Sequence, residues 1–523
     1  MNIIGVKPGH DGSICQILDS ELQFSYEAEK GNNFRHSPIN LELIFKSLKQ
    51  LNSAPDILAV GGWDGLFSGY CGTDNTTIHN WNEHFLGNKV HMFSSSHERS
   101  HLMCSYGMSP YPQGQPCYAL IWESWIGRFY YIDKDLNIHT FPTVLDGPGY
   151  RYAYLLHLAS PNLPNIYQGE LDLAGKLMAI SAFGKKNNRS NQIQETIKLL
   201  FGINIVDNKT IDMNRPINKE EHKDNYFYNI GLDSTEFHDL ARQYSDAIFE
   251  KFYTFAKKNF KQKLPLLISG GCGLNCQWNS YWEETNLFSD VFVPPCCDDS
   301  GSAIGTAIDA QYYFTSKAKV KWTVYSGEVF EWESKLSEEF IEIEYNSEVV
   351  ANYLYANAIF AWVEGRYEIG PRALGHRSII AAPFSEKTTK ELNKIKLRES
   401  YRPIAPICKK DHMSKWFEGK PDSPYMLFFH KVNSENLKAV SHVDNSARTQ
   451  SIEKSNSPWL YQVLEAFEHK TGYGVLCNTS LNFNGKGCIN RLSQIEKFVL
   501  ERGLTGMCID GRLFIKKEFL LNF

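Results

Sequence analysis

The chain has 523 residues, of which 42% are hydrophobic and 22% are charged. This composition is typical of globular domains with substantial cores and excludes a disordered or fibrous protein. The formal net charge is -5, with no block of five or more like charges, which argues against a dedicated nucleic-acid-binding surface. There is no apolar run long enough to span a membrane and no secretory leader before the first predicted strand, so we expect a cytoplasmic protein without a membrane partner.

The N-terminal segment predicts three successive strands, over Asn2 to Val6, Ser13 to Leu18 and Leu22 to Glu27. Each is a short run of apolar and alternating residues bounded by turn residues. His10 lies in the first turn, in the string KPGHDGS. The pattern of strand, tight turn and strand indicates the edge of a β-meander.

The segment SHERSHLMCSYGMS predicts a helix that carries two histidines, His97 and His101, four residues apart and on one face. Two imidazoles at this spacing can share one metal ion. The same letters fit the H-E-x-x-H pattern of zinc proteases, in which Glu98 would be the general base. Two histidines with a structural role only are the third interpretation.

Two carboxylates and a glycine-rich turn lie at the ends of further predicted strands. Glu123 ends the strand CYALIWES, and Asp299 lies between the strand-like SDVFVPP and the helix-like SGSAIGTAIDAQYY. Two histidines and one or two carboxylates suit Fe²⁺, Mn²⁺ or Zn²⁺, and the residue types do not choose among them.

The strand LPLLISGG leads through Gly270 and Gly271 into a predicted helix at Asn275, and the free amides of such a turn would face a phosphate.

The C-terminal third contains four segments suited to holding an anion. GRYEIGPRALGHRS combines glycines with planar guanidinium donors, and KIKLRESYRPIAP places further cations before two prolines. HVDNSARTQ and CNTSLNFNGKG add an arginine and short polar side chains in glycine-rich surroundings. The side chains singled out in these segments are Arg366, Arg372, Arg377, Lys396, Arg402, Arg448, Asn478 and Ser480.

These four ordered segments resemble the C-terminal, YrdC-like domain of the NodU/CmcH-type O-carbamoyltransferases. The opening strands with KPGHDG are similar to the N-terminal Kae-type domain of that family, which is built on the actin/sugar-kinase fold. The resemblance implies an α/β protein with a carbamoyl-transfer domain over residues 1–325 and a carbamoyl-adenylate-forming domain over residues 326–523. In the family an Asp-Gly pair occupies the region of Glu123, so the carboxylate here is one methylene longer.

The resemblance also implies a mechanism. The C-terminal domain would convert carbamoyl phosphate and ATP, with Mg²⁺, to carbamoyl adenylate, and the N-terminal domain would pass the carbamoyl group to a hydroxyl of a small molecule, such as an antibiotic or another secondary metabolite. One transition metal is expected, Fe²⁺ before Zn²⁺ or Mn²⁺, with His10 as the base that accepts the hydroxyl proton. The implied catalytic residues are His10, Lys396 and Arg402; the implied metal ligands are His97, His101, Glu123 and Asp299; and the implied nucleotide and carbamoyl phosphate ligands are Arg366, Arg372, Arg377, Lys396, Arg402, Arg448, Asn478, Ser480, Gly270, Gly271 and Asn275.

Four alternatives compete with this interpretation. A threonylcarbamoyl-tRNA-type enzyme would need a basic tRNA surface, and a hydrogenase-maturation carbamoyltransferase would need CxxC zinc fingers. A zinc protease would give the four C-terminal segments no purpose, and a non-catalytic nucleotide-binding scaffold would not need the histidines. Acceptor specificity is expected in residues 62–88 and 147–167, which are rich in aromatic residues, proline and glycine. A homodimer is the default expectation for an enzyme of this size.

Overall fold

The computed structural model describes residues 1–32, 34–62, 68–85, 87–163, 172–188, 190–204 and 218–520. They form two compact units, the first made of residues 1–108 and 299–523 and the second of residues 109–298. The predicted boundary at residue 325 falls inside the first unit. The division into domains 1–325 and 326–523 therefore stays a prediction.

The N-terminal part of the first unit begins with three antiparallel strands, as predicted. Their sheet has the order β3-β2-β1-β4-β6-β5, in which β1, β4 and β6 are parallel. The elements are β1 (Asn2–Lys7), β2 (Ser13–Leu18), β3 (Glu21–Glu27), α1 (Ala28–Asn32), α2 (Leu41–Lys49), β4 (Ile57–Gly61), β5 (His79–Phe85), β6 (Asn88–Ser95) and α3 (His97–Met108).

The second unit contains a sheet of similar design. Its elements are β7 (Cys117–Trp122), β8 (Gly127–Ile132), β9 (Ile138–Thr143), α4 (Pro148–Ala159), α5 (Asp172–Ser181), α6 (Asn191–Gly202), α7 (Thr235–Asn259), β10 (Leu266–Ser269), α8 (Cys276–Glu284) and β11 (Val291–Phe292). The strand order is β11-β10-β7-β8-β9, with an antiparallel meander followed by two parallel strands. Apart from the added edge strand β5, the first sheet has the same order and the same directions. The N-terminal sheet of the first unit and the sheet of the second unit thus repeat one topology.

The C-terminal part of the first unit is built on a larger mixed sheet. Its strand order is β12-β22-β21-β13-β14-β20-β15-β19, and a small sheet of order β16-β17-β18 lies apart from it. Helix α9 (Ser302–Thr315) packs in the N-terminal part of the unit. The elements after it are β12 (Phe340–Ile343), α10 (Ser347–Tyr355), β13 (Ile359–Val363), β14 (Arg377–Ala381), α11 (Glu386–Ile395), β15 (Ala405–Lys409), α12 (Met413–Trp416), β16 (Phe417–Glu418), β17 (His430–Val432), β18 (Ser446–Ala447), β19 (Gln450–Ile452), α13 (Pro458–Thr471), β20 (Val475–Ser480), α14 (Leu492–Arg502), β21 (Gly506–Ile509) and β22 (Arg512–Lys516).

Hydrophobic cores cover both faces of this larger sheet. Successive residues of a strand point to opposite faces, and along β13 Phe360 and Trp362 pack with α10 and α13, whereas Ala361 and Val363 pack with α11 and α14. The result is a three-layer α/β arrangement, which agrees with the predicted α/β class. None of the helices in the described ranges is long and apolar enough to cross a membrane.

Two glycines allow helix α9 to pack closely in the N-terminal part of the first unit. A Cβ atom on Gly305 would lie 1.8 Å from the backbone oxygen of Ser100 in α3, and one on Gly5 in β1 would lie 2.3 Å from the backbone oxygen of Ala303 in α9. Any larger residue would push these elements apart. The close packing holds the start of α9 against the histidine-bearing turns of α3.

Candidate functional site

Three predicted metal ligands converge in the first unit. His97 and His101 are buried in the first two turns of α3, and Asp299 immediately precedes α9 in a short 3₁₀ turn. The Nε2 atoms of the two histidines are 3.1 Å apart, and they lie 3.5 and 3.3 Å, respectively, from Oδ1 of Asp299. The sequence spacing of four residues therefore does place both imidazoles on one face, directed at one carboxylate oxygen.

This geometry fits a divalent metal ion. Ligand atoms bound about 2.0 to 2.2 Å from one ion lie roughly 3 to 3.5 Å from one another when the angles are tetrahedral or octahedral. The three atoms have these separations, and imidazole nitrogen with carboxylate oxygen is a donor set for Fe²⁺, Mn²⁺ or Zn²⁺. The ring of Tyr70 stacks on His97 with centroids 4.5 Å apart, which fixes the orientation of that imidazole.

His10 lies next to these ligands. Its Nε2 is 3.4 Å from Oδ2 of Asp299, and its Nδ1 donates a hydrogen bond of 2.8 Å to Asp11. Lys7, which is fully buried, contacts the same Asp299 oxygen at 3.3 Å and donates to the backbone oxygen of His10 at 3.0 Å. Burial alone would lower the pKa of His10, but Asp299 and Asp11 outweigh it and raise the pKa. Asp11 and Lys7 lie close to His10 in the sequence but had no predicted role.

Glu123, the fourth predicted ligand, belongs to the second unit. It is buried and directly follows β7, as predicted. Its backbone oxygen accepts a hydrogen bond of 3.0 Å from Gly149, and a Cβ atom on Gly270 would lie 2.9 Å from the Glu123 Cβ. Its role as a ligand stays a prediction.

The glycine-rich turn of the second unit is a strand-to-helix connection. Gly270 has a φ of +89°, which favours glycine, and a Cβ there would meet the backbone oxygen of Trp122 at 2.6 Å. The side chain of Asn275 accepts hydrogen bonds of 3.1 and 3.3 Å from the amides of Gln277 and Trp278 and so caps α8. Asn275 thus has a structural role that the sequence did not indicate, and nucleotide binding by Gly270, Gly271 and Asn275 remains a prediction.

The four C-terminal segments meet at one edge of the larger sheet. Strands β14, β20, β15 and β19 are neighbours in that order, with β20 antiparallel to β14 and β15, and β19 parallel to β15. The starts of β14, β15 and β19 therefore share an edge with the end of β20. The segments rich in arginine precede those three starts, and CNTSLN lies at the β20 end. Segments far apart in sequence become one cluster, which we call the anion edge.

Arg366 donates hydrogen bonds to the backbone of two remote parts of the chain. Its Nε donates to the backbone oxygen of Gly327 at 2.6 Å, and its Nη1 and Nη2 donate to those of Gln23 and Ser326 at 2.8 and 2.9 Å. These contacts link Gln23 in strand β3 with residues 326 and 327 and with the loop that carries Arg366. The predicted contact of Arg366 with a phosphate has no support in this geometry.

Arg377 is likewise occupied, at 1% exposure. Its guanidinium donates to the Asn490 side chain at 3.0 and 2.8 Å. It also donates to the backbone oxygens of Glu364, Gly365 and His376 at 3.1, 2.9 and 2.8 Å. Arg377 thus closes the loop that begins at Gly365, and its contact with a ligand stays a prediction.

We expect Arg377→Met to destabilise the fold by about 3 kcal/mol, because it leaves several buried oxygens without their charged donor. Urea denaturation followed by tryptophan fluorescence would measure the change. The matched control is Arg512→Met, which removes a side chain 49% exposed and paired with Glu342, for which we expect less than about 1 kcal/mol. Equal stability of the two variants would contradict the structural role of Arg377.

Lys396 and Ser480 are brought together, as their shared prediction requires. The buried ammonium of Lys396 donates to the backbone oxygen of Ser480 at 2.6 Å, to its hydroxyl at 3.2 Å and to the backbone oxygen of Asn482 at 3.0 Å. Burial, and next the charges of Arg398, Arg502 and Arg35, hold the pKa of Lys396 well below its usual value. In this conformation Lys396 fixes the turn after β20, and its catalytic role stays a prediction.

Asn478 lies in β20 at the anion edge and contacts the loop that carries Arg372. Its side-chain amide donates to Gln450 at 2.8 Å and to the backbone oxygen of Ala373 at 3.2 Å, and Gln450 donates to that of Leu374 at 2.7 Å. Gln450, for which no role was predicted, therefore helps Asn478 to hold the backbone of residues 373 and 374.

Glu368 holds the loop from inside. Its Oε1 accepts hydrogen bonds from the backbone amides of Leu374, His376 and Arg377 at 2.6, 2.8 and 3.1 Å. The loop backbone around Arg372 is therefore fixed by several side chains. Arg372, Arg402 and Arg448 remain the predicted anion ligands, and all three are half-buried at the anion edge.

The segments expected to select the acceptor are described in part. Residues 63–67 and 86 of the first segment and residues 164–167 of the second lie outside the described residues. In the described part of the second segment, the ring of Tyr150 stacks on Trp125, which lies outside both segments, with centroids 5.1 Å apart. The role of the two segments in acceptor binding stays a prediction.

Comparison with known proteins identifies the family. The models named Carbamoyltransferase N-terminus and Carbamoyltransferase C-terminus match residues 86–308 and 351–517. A 3'-hydroxymethylcephem-O-carbamoyltransferase of Amycolatopsis lactamdurans is 40% identical over 99% of this chain and 100% of its own. Nodulation protein U of Bradyrhizobium diazoefficiens is 31% identical over 93% of each chain. The chain belongs to the carbamoyltransferase family and is an enzyme of that class, so the protease and scaffold interpretations are set aside.

One solved structure aligns with much of the chain. The activator of the 2-hydroxyisocaproyl-CoA dehydratase from Clostridium difficile with bound ADPNP aligns at a TM-score of 0.34 and 11% identity, over 60% of this chain and 97% of that one. A TM-score this low supports no conclusion about the fold or the ligand.

Proposed function

We propose that this enzyme makes carbamoyl adenylate from carbamoyl phosphate and ATP, with Mg²⁺, and transfers the carbamoyl group to a hydroxyl of a small molecule. The observation that carries the proposal is the convergence of four separate cation-bearing and glycine-bearing segments at the anion edge. Two polyanionic substrates need several cations at one place, because their mutual repulsion otherwise opposes the approach of a nucleophile to the α-phosphorus.

The activation step would release phosphate and pyrophosphate. Release of both requires one water, which cleaves carbamoyl phosphate to carbamate and phosphate. A carbamate oxygen then attacks the α-phosphorus of ATP, and pyrophosphate leaves. Arg372, Arg402 and Arg448 would hold the phosphate groups, while Lys396, Asn478 and Glu368 keep the surrounding backbone in place.

The transfer step would take place around His97, His101 and Asp299. These residues would hold a divalent transition metal, Fe²⁺ before Zn²⁺ or Mn²⁺, with Glu123 as the fourth ligand; the bound ion would supply Lewis acidity toward the carbamoyl carbonyl. His10 would accept the proton of the acceptor hydroxyl at Nε2. The hydrogen bond from Nδ1 to Asp11 supports this role, because it fixes the tautomer that leaves the Nε2 lone pair available. The hydroxyl oxygen would bond to the carbamoyl carbon as AMP leaves.

The two repeated sheets support an actin/sugar-kinase fold for the Kae-type region, since both contain a three-stranded meander followed by two parallel strands. The mixed sheet of the C-terminal region would be the YrdC-like domain. We further propose that the enzyme is cytoplasmic, acts without nucleic acid and forms a homodimer. Light scattering would test the oligomeric state.

The acceptor is proposed from the relatives. Because a relative named for 3'-hydroxymethylcephem covers nearly the whole chain, hydroxymethyl groups of antibiotic-like molecules are the first acceptors to examine, before oligosaccharide hydroxyls. The test is incubation with ¹⁴C-carbamoyl phosphate, ATP, Mg²⁺ and a panel of such acceptors, with label followed in the product. ATP-dependent label in an acceptor, lost in His10→Ala, is expected. Label transfer that does not need ATP would contradict the proposal.

A further inference from the structure

A buried ion pair, Glu27 with Lys30, joins the N-terminal sheet to the loop of the anion edge. Glu27 is the last residue of β3, and Lys30 lies in α1; their side chains are 4% and 7% exposed and 3.1 Å apart. Neither residue lies in a segment that was given a role. Burying a charge costs free energy unless the charge is paired and hydrogen-bonded. A buried ion pair whose hydrogen bonds all go to protein groups is therefore expected to hold some part of the structure in place.

The pair holds both sides of one residue in the loop. Glu27 Oε1 accepts a hydrogen bond of 2.7 Å from the amide of Gly370, and Lys30 donates to the backbone oxygen of Gly370 at 2.8 Å. Lys30 also donates to the backbone oxygen of Glu368 and lies 5.2 Å from the ring centroid of Tyr367. The amide and the carbonyl of Gly370, two residues before Arg372, are thus both fixed by side chains from the N-terminal region.

Glu27 and Ala28, in the same short segment as Lys30, also hold the turn that carries His10. The backbone amide of Ala28 donates to the backbone oxygen of Gly12 at 2.8 Å, and Ser13 pairs with Glu27 across β2 and β3. The residues around Glu27 therefore contact the His10 turn on one side and the Arg372 loop on the other. Helix α1 is also confined by Gly487, where a Cβ would lie 2.1 Å from the backbone oxygen of Glu29.

We propose that Glu27 and Lys30 are positioning residues that place the Gly370–Arg372 segment for carbamoyl phosphate binding and set its spacing from the His10 turn. This inference rests on the proposed function for the identity of the ligand. Binding energy at such a site depends on placement, since a misplacement of about 1 Å can cost up to about a hundredfold in rate.

The test compares Lys30→Met with Lys46→Met. Lys46, in α2, also links the N-terminal region to later residues, but its ammonium pairs with Glu328 at 3.0 Å and Glu331 at 3.2 Å and, among the described residues, not with Gly370. Initial rates of pyrophosphate release would give the KM for carbamoyl phosphate and the kcat. We expect Lys30→Met to raise that KM about tenfold or more while the KM for the acceptor stays unchanged, and Lys46→Met to leave both near wild type.

A second readout does not depend on activity. Hydrogen exchange of peptides spanning 365–377 should become faster in Lys30→Met and stay at the wild-type rate in Lys46→Met, with the β1–β2 peptides protected in both. If Lys30→Met does not fold, Glu27→Gln, which removes the negative charge that pairs with Lys30, takes its place in both measurements. Wild-type exchange and wild-type KM in the folded variant would overturn the positioning role. Failure of the wild-type enzyme to release pyrophosphate would instead contradict the proposed function, and the exchange comparison would still decide the role of Lys30.

Discussion

His101→Ala is expected to abolish stoichiometric binding of a transition metal and to lower carbamoyl transfer by more than about a hundredfold. The imidazole supplies one of three donor atoms that lie 3.1 to 3.5 Å from one another, and alanine leaves only two of them. Changes that merely disturb the support of a metal ligand typically cost about tenfold to a hundredfold in affinity or activity, so loss of a ligand should cost more.

The metal content would be measured by inductively coupled plasma mass spectrometry on protein purified without a histidine tag. The control is His139→Ala, which removes a histidine whose side chain is 58% exposed. Carbamoyl adenylate formation without acceptor should be unchanged in His101→Ala, because the activation step uses the anion edge. A variant that keeps one metal ion per chain, or loses adenylate formation together with transfer, would show that His101 does not have the assigned role.

Arg372→Met is expected to lower carbamoyl adenylate formation by about a hundredfold to a thousandfold, the usual cost of removing one preorganised donor from developing charge. Glu368 and Asn478 hold the backbone of the loop around this residue through hydrogen bonds. The backbone from which the Arg372 side chain extends is therefore fixed at the anion edge. Unlike Arg377, Arg372 is only half-buried, and we expect its loss to leave the urea midpoint close to wild type.

Pyrophosphate release measured over a range of carbamoyl phosphate concentrations would test this expectation, with Arg512→Met on β22 as the matched control. The combination of lost activation and retained stability is what separates a ligand-binding arginine from a structural one. Wild-type activation in Arg372→Met would move the anion-binding role to Arg402 and Arg448.

Much of the local structure could be predicted from the sequence because it depends on short-range patterns. Periodicity and turn residues predict the strands near the N-terminus and the helix that begins at His97. They also predict that Glu123 follows a strand and that Asp299 precedes a helix. The pairing of His97 with His101 follows from helical spacing alone. Their meeting with Asp299 could be predicted only from the family, since about 200 residues of chain separate the two parts.

The roles of individual cations could not be predicted in the same way. A sequence shows that Arg366, Arg372 and Arg377 lie in one glycine-rich segment, but it does not show which guanidinium meets backbone oxygens in the folded chain. Arg366 binds oxygens from residues 23, 326 and 327, which are remote in sequence. Glu27 and Lys30 were missed for the same reason, because their partner Gly370 is more than 300 residues away.

The most direct test is mass spectrometry of the purified enzyme incubated with carbamoyl phosphate, ATP and Mg²⁺ in the absence of any acceptor. We predict carbamoyl adenylate and an equal amount of pyrophosphate from the wild-type enzyme, and about a hundredfold to a thousandfold less of both products from Arg372→Met at the same early time. Absence of carbamoyl adenylate in this incubation, from an enzyme that carbamoylates an acceptor once one is added, would contradict the two-step mechanism and would indicate direct transfer from carbamoyl phosphate.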